Sequence, residues 1–422
     1  MKKIAIIGLG YVGLPLSLEF SKRNLVVGYD NNKLRIKSLK KKVDSNNDLQ
    51  PNEKTVLKKN KNLIFTDKHK EISSCKIFII TVPTPVKRNK TPDLSYLVGA
   101  TKVVSKYLKK NDLVIYESTV YPGATEEVCK PILENLSKLS INKDFYLGYS
   151  PERLSPGDSK HGLKKIVKIT SGSNYKAAKM VDSLYKSIIP KGTYLTKSIK
   201  IAEAAKVIEN TQRDINIAFI NELAINFSKL GINTNEVLKA ASTKWNFVKF
   251  QPGLVGGHCI AVDPYYLFYK SKKVGYINKL IPLARKINDH MSSFVVKKFT
   301  YLLKRNFSKK KLKILIMGLA YKEDSSDVRN SPVFDIYNQL KNKTNIKMLH
   351  IYDPLVKNKE IENKVKKIDK LNIKYDGVIL AVPHRKIMRD YHKLNKKFTH
   401  ERTKILDIKY MLKMKDNRIC PL

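Results

Sequence analysis

The sequence predicts an α/β protein with two doubly wound sheets joined by a helical middle. Three observations carry this prediction. Short apolar runs alternate with helical patterns through the first half of the chain; residues 198–230 are helical in period and free of proline; and strand–helix alternation resumes at Leu312. At 422 residues the chain exceeds one ordinary hydrophobic core. The pattern divides it into residues 1–197, 198–305 and 306–422.

Residues 3–8 form an apolar strand, a Gly-rich turn follows, and Val12 to Arg23 reads as a helix. Leu25 to Asp30 is a second strand that ends in an acid. Further strands are expected at Ile77 to Val82, Leu113 to Glu117 and Phe145 to Tyr149. Lys41 to Lys61 is polar and reads as a loop with a short helix. A second long helix is expected over Asn278 to Arg305. Between the two long helices lies an irregular stretch, Trp245 to Asp263, rich in Gly and aromatics. Unstructured stretches of that length inside a domain are more often functional than not. Strands at Leu312 to Gly318, Met348 to Asp353 and Gly377 to Val382 complete the second sheet.

Composition excludes several classes. The 42% hydrophobic and 9% aromatic content is that of a globular protein. No apolar stretch approaches the roughly 20 residues that cross a bilayer, and the chain enters a strand directly rather than through a signal peptide. Four cysteines, far apart and without metal-ligand spacing, suit a reducing cytoplasm and imply neither a disulfide framework nor a metal site. The net charge of +45 raises the question of nucleic acid or an anionic membrane surface. Lysine is scattered through every predicted element together with Asn and Ile, and no basic stripe with interleaved aromatics is present. The charge therefore reads as a substitution bias, and nucleic acid and membrane insertion are not expected.

The chemistry begins with Gly8-Leu9-Gly10-Tyr11-Val12-Gly13. This Gly-x-Gly-x-x-Gly follows a strand, opens a helix and is matched by Asp30 at the end of the next strand. In that context the glycines permit the tight turn, close pyrophosphate approach and helix–strand packing, and the helix N-terminus faces the phosphates. Asp30 accepts from a ribose and repels a 2′-phosphate, which favours NAD over NADP; Lys33 and Arg35 nearby work against that preference. The sheets are accordingly expected to be Rossmann-like. Thr81 to Pro85, Glu117 to Gly123 and Ser150 to Arg153 each follow a strand, where ligands collect in such folds.

The run Gly256-Gly257-His258-Cys259-Ile260-Ala261-Val262-Asp263 places a thiol beside two residues without side chains, with a carboxylate close behind. The residues alone leave two readings, a reactive thiol or a small buried cysteine at a Gly turn. With a nucleotide cofactor, a reactive thiol points to oxidation through a sulfur adduct, an alcohol taken to an acid. Lys206, Asn210 and Arg213 recur at i, i+4 and i+7 on one helix face among small alanines. A lysine beside a thiol stabilises a thiolate and a developing oxyanion. Gly318 to Asp324 and Asp327-Val328-Arg329 lie just past a strand.

Together these residues resemble the nucleotide-sugar 6-dehydrogenase family over nearly the whole chain, with the motifs in the family's order. The stretch Trp245-Asn246-Phe247 and Phe250 to Cys259 looks most like the branch acting on UDP-N-acetylglucosamine or UDP-N-acetylgalactosamine. The resemblance implies an NAD domain, a helical dimerisation region and a UDP-binding domain. It implies Cys259 as nucleophile, Lys206 for the oxyanion, Asn210 for substrate position, Asp263 and Thr119 for water, and Glu152 for thioester hydrolysis. Glu152, Arg153, Leu154, Lys206, Asn210, Arg213, Phe250, Gly253, Gly256, Tyr321 and Lys322 match positions around the nucleotide sugar. Gly8, Gly10, Tyr11, Val12, Gly13, Asp30, Arg35, Thr84, Thr119 and Arg329 match positions around NAD. Leu154-Ser155 and Ala261 depart from the family's commoner residues without removing a catalytic group. The expectation is a cytoplasmic, homodimeric NAD-dependent enzyme making uronic acids for surface polysaccharide. UDP-glucose or UDP-N-acetylmannosamine is the alternative substrate. The alternatives of other kinds are a hydroxyacid dehydrogenase, which needs no thiol, and a basic binding protein with a relic Rossmann domain.

Overall fold

The central strands of the first sheet are short runs rich in Ile, Val, Leu and aromatics, the composition of strands covered on both faces. In a computed structural model, which describes residues 2–46, 48–153, 162–257, 259–307, 311–358, 361, 364–412 and 416–422, this sheet has eight strands. They are β1 (Lys3–Ile7), β2 (Leu25–Tyr29), β3 (Leu63–Thr66), β4 (Ile77–Ile80), β5 (Leu113–Tyr116), β6 (Tyr146–Tyr149), β7 (Lys168–Gly172) and β8 (Thr193–Leu195). Their order is β3-β2-β1-β4-β5-β6-β7-β8, and all neighbours are parallel except β6 and β7. The second sheet contains β9 (Leu312–Met317), β10 (Ile346–Tyr352), β11 (Lys367–Ile368), β12 (Gly377–Leu380), β13 (Lys404–Asp407) and β14 (Ile419–Pro421). Its order, β11-β10-β9-β12-β13-β14, repeats that of the first six strands and is parallel throughout. Both sheets therefore reverse direction of winding beside their first strand, which is where such folds bind ligands.

The predicted strands are all present; β6 ends at its predicted residue, Tyr149, and the others end one or two residues short. β3, β7, β8, β11, β13 and β14 are additional to the expected strands. They are short, and several are polar, as in Lys168-Ile169-Thr170-Ser171-Gly172, so period-2 patterning is weak. The polar stretch 41–61 contains the helix Pro51–Lys59. The two long helices span Ile199–Leu230 and Leu280–Asn306. A helix at Thr234–Ala241 and another at Asp263–Lys273 flank the irregular segment, the second starting at the acid that follows Cys259.

The described chain forms two compact units. The first comprises residues up to Glu209 with Tyr265–Ile277, and the second Asn210–Pro264 with Asn278–Leu422. The helix Ile199–Leu230 thus contributes its first turns to one unit and the rest to the other. In the first unit Ile4, Ile6, Val26, Ile79 and Ile115 pack with Phe20 and Tyr185. In the second, alternate residues of each strand face opposite layers. Ile314, Ile316 and Ile379 meet Val295 and Phe299 of the helix Leu280–Asn306, while Leu315, Met317 and Val378 meet Ile387 and Tyr391 of the helix Arg385–Phe398. Each fully buried side chain of this size contributes about 1.5–3 kcal/mol. Among the described residues no helix is long and apolar enough to cross a membrane.

Candidate active site

The first unit builds a Gly-rich turn at the end of β1. Gly8 takes φ +95° and donates its N–H to the Tyr29 carbonyl at 2.9 Å. A Cβ at Gly13 would lie 1.9 Å from the Gly8 carbonyl oxygen and 2.5 Å from Thr81 Oγ1, so only glycine lets the helix Gly13–Phe20 start against the strand. A Cβ at Gly10 would meet nothing within 4 Å. The middle glycine therefore faces open space at a helix N-terminus, room that suits a pyrophosphate, and the first turn of that helix carries no acid to repel one. Tyr11 and Val12 are half-buried in the same turn. Asp30 follows β2, its carboxylate accepting from Leu9 N at 2.8 Å and Asn32 N at 2.9 Å.

Arg35 takes a different place from the one its sequence position indicated. Its guanidinium is buried, donating to the Leu9 carbonyl at 3.0 Å, Asp44 at 2.7 Å and Asp48 at 2.8 Å. It braces the glycine turn from behind, while Lys33, Lys37 and Lys40 are the exposed cations on that helix. Thr84 Oγ1 donates to the Thr119 carbonyl at 2.7 Å, joining the segments after β4 and β5, and Tyr266 OH donates to the Thr84 carbonyl at 2.8 Å. Glu152, buried, donates its backbone N–H to the Glu117 carbonyl. Arg153 binds the Val167 carbonyl at 2.7 Å and pairs with Glu209 at 2.7 Å. Leu154 lies outside the described residues.

On the long helix Lys206 and Asn210 are buried, but Arg213 is exposed. Periodicity gave the three one face; burial follows what packs at each turn, and among the described residues Arg213 stays exposed. Asn210 Nδ2 donates to Asp263 Oδ2 at 2.6 Å. Asp263 and Val262 in turn donate their N–H groups to the Cys259 carbonyl, at 2.8 and 3.2 Å. The thiol residue, half-buried, is thus held by the start of the helix whose first acid binds Asn210. An acid at that terminus is favoured by the helix dipole.

Around this turn, Gly257 has φ +82°, and a Cβ there would lie 2.5 Å from the Tyr321 ring; a Cβ at Gly256 would lie 2.6 Å from the Asn330 carbonyl. Tyr321 is the wall against which the glycines before the thiol pack. Burial first, then Asp327 and Cys259, push its hydroxyl up to about 12, so it is a neutral donor at pH 7. Phe250 and Lys322 are half-buried. Arg329, exposed, is held by Asp327 at 2.6 Å. Gly253 is clamped at both backbone groups by Asn221, at 2.8 and 3.0 Å, and Asn221 is itself held by Asn288 at 2.8 Å.

Several residues of this framework escaped sequence reading. Asn221 falls eleven residues after Asn210, three helical turns on the same face, which is a usable signal. Lys409, after β13, packs its stem and ammonium against Gly253, and burial lowers its pKa. Glu203, one turn before Lys206, is buried and accepts from Gly123 N at 2.5 Å and Thr125 N at 2.9 Å. The second sheet repeats the turn geometry of the first, with Gly318 at φ +93° donating to the Tyr352 carbonyl at 2.9 Å. There, however, the acid Asp353 is fully buried, bound by Leu319 N at 2.7 Å and His384 at 3.1 Å.

Comparison with known proteins matches three consecutive parts of one family. Residues 2–189 match the NAD binding domain of the UDP-glucose/GDP-mannose dehydrogenase family, residues 200–290 its central domain and residues 315–414 its UDP binding domain. The chain belongs to the UDP-glucose/GDP-mannose dehydrogenase family. As a member it is an NAD-dependent nucleotide-sugar 6-dehydrogenase. Among relatives, it is 48% identical over 415 residues to a UDP-N-acetyl-D-glucosamine 6-dehydrogenase of Pseudomonas aeruginosa, covering 97% of each chain. It is 47% identical over 414 residues to one of Salmonella typhi, covering 97% of this chain and 96% of that one. Among solved structures, a UDP-D-ManNAc dehydrogenase of Pyrococcus horikoshii has TM-score 0.88 at 32% identity, with 99% and 98% of the chains covered. The family assignment, resting on whole-length matches, replaces the reading of a basic binding protein.

Proposed function

We propose that this dehydrogenase oxidises the C6 hydroxyl of a UDP-N-acetylhexosamine, UDP-N-acetylglucosamine or UDP-N-acetylgalactosamine, to the uronic acid through Cys259. The observation that carries the reading is the hydrogen-bonded turn that ties the Cys259 carbonyl to Asp263 and Asp263 to Asn210. A structural cysteine needs no such coupling between an acid and a helix amide. The relatives named for UDP-N-acetylglucosamine support the sugar. UDP-N-acetylmannosamine is the second reading, supported by the likeness to the Pyrococcus structure.

When bound, NAD accepts a hydride from the sugar carbon in each of two oxidations. Gly8, Gly10, Gly13 and Asp30 hold it, with Thr84 and Thr119 lining its path; Arg35 braces the turn, and Arg329 is assigned to the same cofactor. The Cys259 sulfur adds to the C6 aldehyde left by the first oxidation, and its proton passes to the new oxygen as the thiohemiacetal forms. Loss of the second hydride and that proton gives the thioester. Splitting the oxidation this way keeps the aldehyde from escaping. Lys206 stabilises the oxyanion. Asp263 and Thr119 orient water, and Glu152 takes its proton as the C–S bond breaks, releasing acid and thiol. Arg153, Leu154, Arg213, Phe250, Gly253, Gly256, Tyr321 and Lys322 hold the nucleotide sugar, with Lys409 as a further cation for its diphosphate.

The reading includes a cytoplasmic homodimer supplying uronic acid units for surface polysaccharide, in which residues 1–197 bind NAD, 198–305 dimerise and 306–422 bind UDP. Exposed Phe219, Leu230 and Trp245 support association through the middle region. The test is a panel of UDP-sugars with NADH counted per sugar. Two NADH with the N-acetylhexosamines are expected. One NADH, or turnover unaffected in Cys259→Ser, overturns the reading.

A further inference from the structure

The segment carrying Glu152 rests on a buried charge cluster that the mechanism above does not use. Glu117, at the end of β5, Lys168, the first residue of β7, and Tyr185 are 1%, 4% and 0% exposed. Lys168 Nζ donates to Glu117 Oε2 at 2.6 Å, to the Pro151 carbonyl at 2.8 Å and to the Ser150 carbonyl at 3.2 Å. An ammonium has three protons, and here each has an acceptor. Tyr185 OH donates to the other Glu117 oxygen, and its ring lies under the ammonium with its centroid 5.1 Å from Nζ. Glu117 closes the loop, because its carbonyl accepts the Glu152 N–H at 3.3 Å.

Stability alone is a weak reason to keep such a group. Removing an ammonium and a carboxylate from water costs several kcal/mol per ion, and well-packed apolar replacements are often neutral or better. What apolar residues cannot supply is a donor to two successive carbonyls. Those carbonyls belong to Ser150 and Pro151, the two residues before Glu152. The cluster also lies within electrostatic reach of Glu152, since burial first, then the charges of Glu117 and Glu152, hold the Tyr185 hydroxyl well above its ordinary range.

We propose that Lys168, held by Glu117 and Tyr185, is a positioning residue that fixes the Glu152 carboxylate for thioester hydrolysis. The inference rests on the function proposed above. Its consequence is selective: the adduct forms and both hydrides leave, but acid release slows. Displacements near 1 Å cost about 100-fold in rate.

The experiment compares the wild type with Lys168→Met and Tyr185→Phe by stopped-flow NADH formation, steady-state turnover and intact-protein mass after acid quench, with thermal melts for folding. In Lys168→Met the first-turnover NADH burst should persist, kcat should fall about 10- to 100-fold, and sugar-acyl mass should accumulate on the enzyme. Tyr185→Phe should show the same pattern more weakly. A folded Lys168→Met that loses the burst as much as turnover, or turns over without accumulating adduct, overturns the inference. If Lys168→Met does not fold, Tyr185→Phe decides by the same readout. Wild type that makes two NADH and shows the adduct upholds the underlying function whatever the variants do; wild type without any adduct removes both.

Discussion

The three glycines of the cofactor turn do different physical work, and alanine at two of them separates folding from binding. At Gly13 a Cβ falls 1.9 Å from the Gly8 carbonyl oxygen, about 1 Å inside the 3.0 Å that real Cβ atoms respect. That nearest partner is backbone, so the helix Gly13–Phe20 must back away from β1. Overpacking of that kind costs about 1–3 kcal/mol, a fall in Tm of about 2–12 °C for a unit of this size. At Gly10 a Cβ meets no protein atom, and the residue is not among those with positive φ. Gly10→Ala should therefore melt at or slightly above wild type, since alanine at a compatible site adds about 0.4–1 kcal/mol through the unfolded chain. Its methyl occupies the space assigned to the pyrophosphate, so NAD affinity should fall at least about tenfold, or 1.4 kcal/mol. Thermal denaturation and calorimetric titration of NAD read the two effects independently. Gly10→Ala with wild-type NAD affinity would refute the assignment of that open side to the cofactor, and Gly13→Ala as stable as wild type would refute the packing argument.

Cys259→Ser should lower acid production by roughly 1000-fold or more, as nucleophile replacements do, read as NADH and uronic acid per UDP-sugar. Asp263→Asn weakens the bond from Asn210, a charge-assisted contact worth about 1.5–3 kcal/mol; kcat should fall more than KM rises. Lys409→Ala should raise KM for the UDP-sugar about tenfold with kcat little changed, a loss of about 1.4 kcal/mol. Burial pushes the Glu203 carboxyl from its ordinary 4.5 up to about 7, against bonds from Thr125 and Gly123 that pull it down. The folded protein therefore holds that proton more tightly than the unfolded chain. Its stabilisation is full below pH 4.5 and is lost as pH rises to about 7, roughly 3 kcal/mol in all. Melting temperatures of wild type should decline across that window relative to Glu203→Gln, and parallel pH profiles would contradict it.

The site was legible where residue type alone constrains chemistry. Gly8, Gly13 and Asp30 could be placed because a strand–turn–helix with two close backbones admits few residues, and the structure shows the contacts that require them. The thiol turn could be located because glycines flank it. Arg35 was assigned to the ribose side by its distance from Asp30 in sequence, and only its partners, Asp44 and Asp48, show that it points inward. Lys168 and Glu117 are 51 residues apart, and only Glu117 falls in a segment that the sequence marked; their pairing follows from the order of β5, β6 and β7, which no local pattern encodes.

Local patterning of the 422 residues determined the two wound sheets, the long helices between them and the Gly-rich turn after β1, because apolar period and glycine geometry act between neighbours along the chain. Tertiary structure alone decided which charges became buried partners. Asp353 could be sealed by His384 while Asp30 was left half-open at the equivalent turn, because burial depends on what arrives from distant sequence and not on the residue itself.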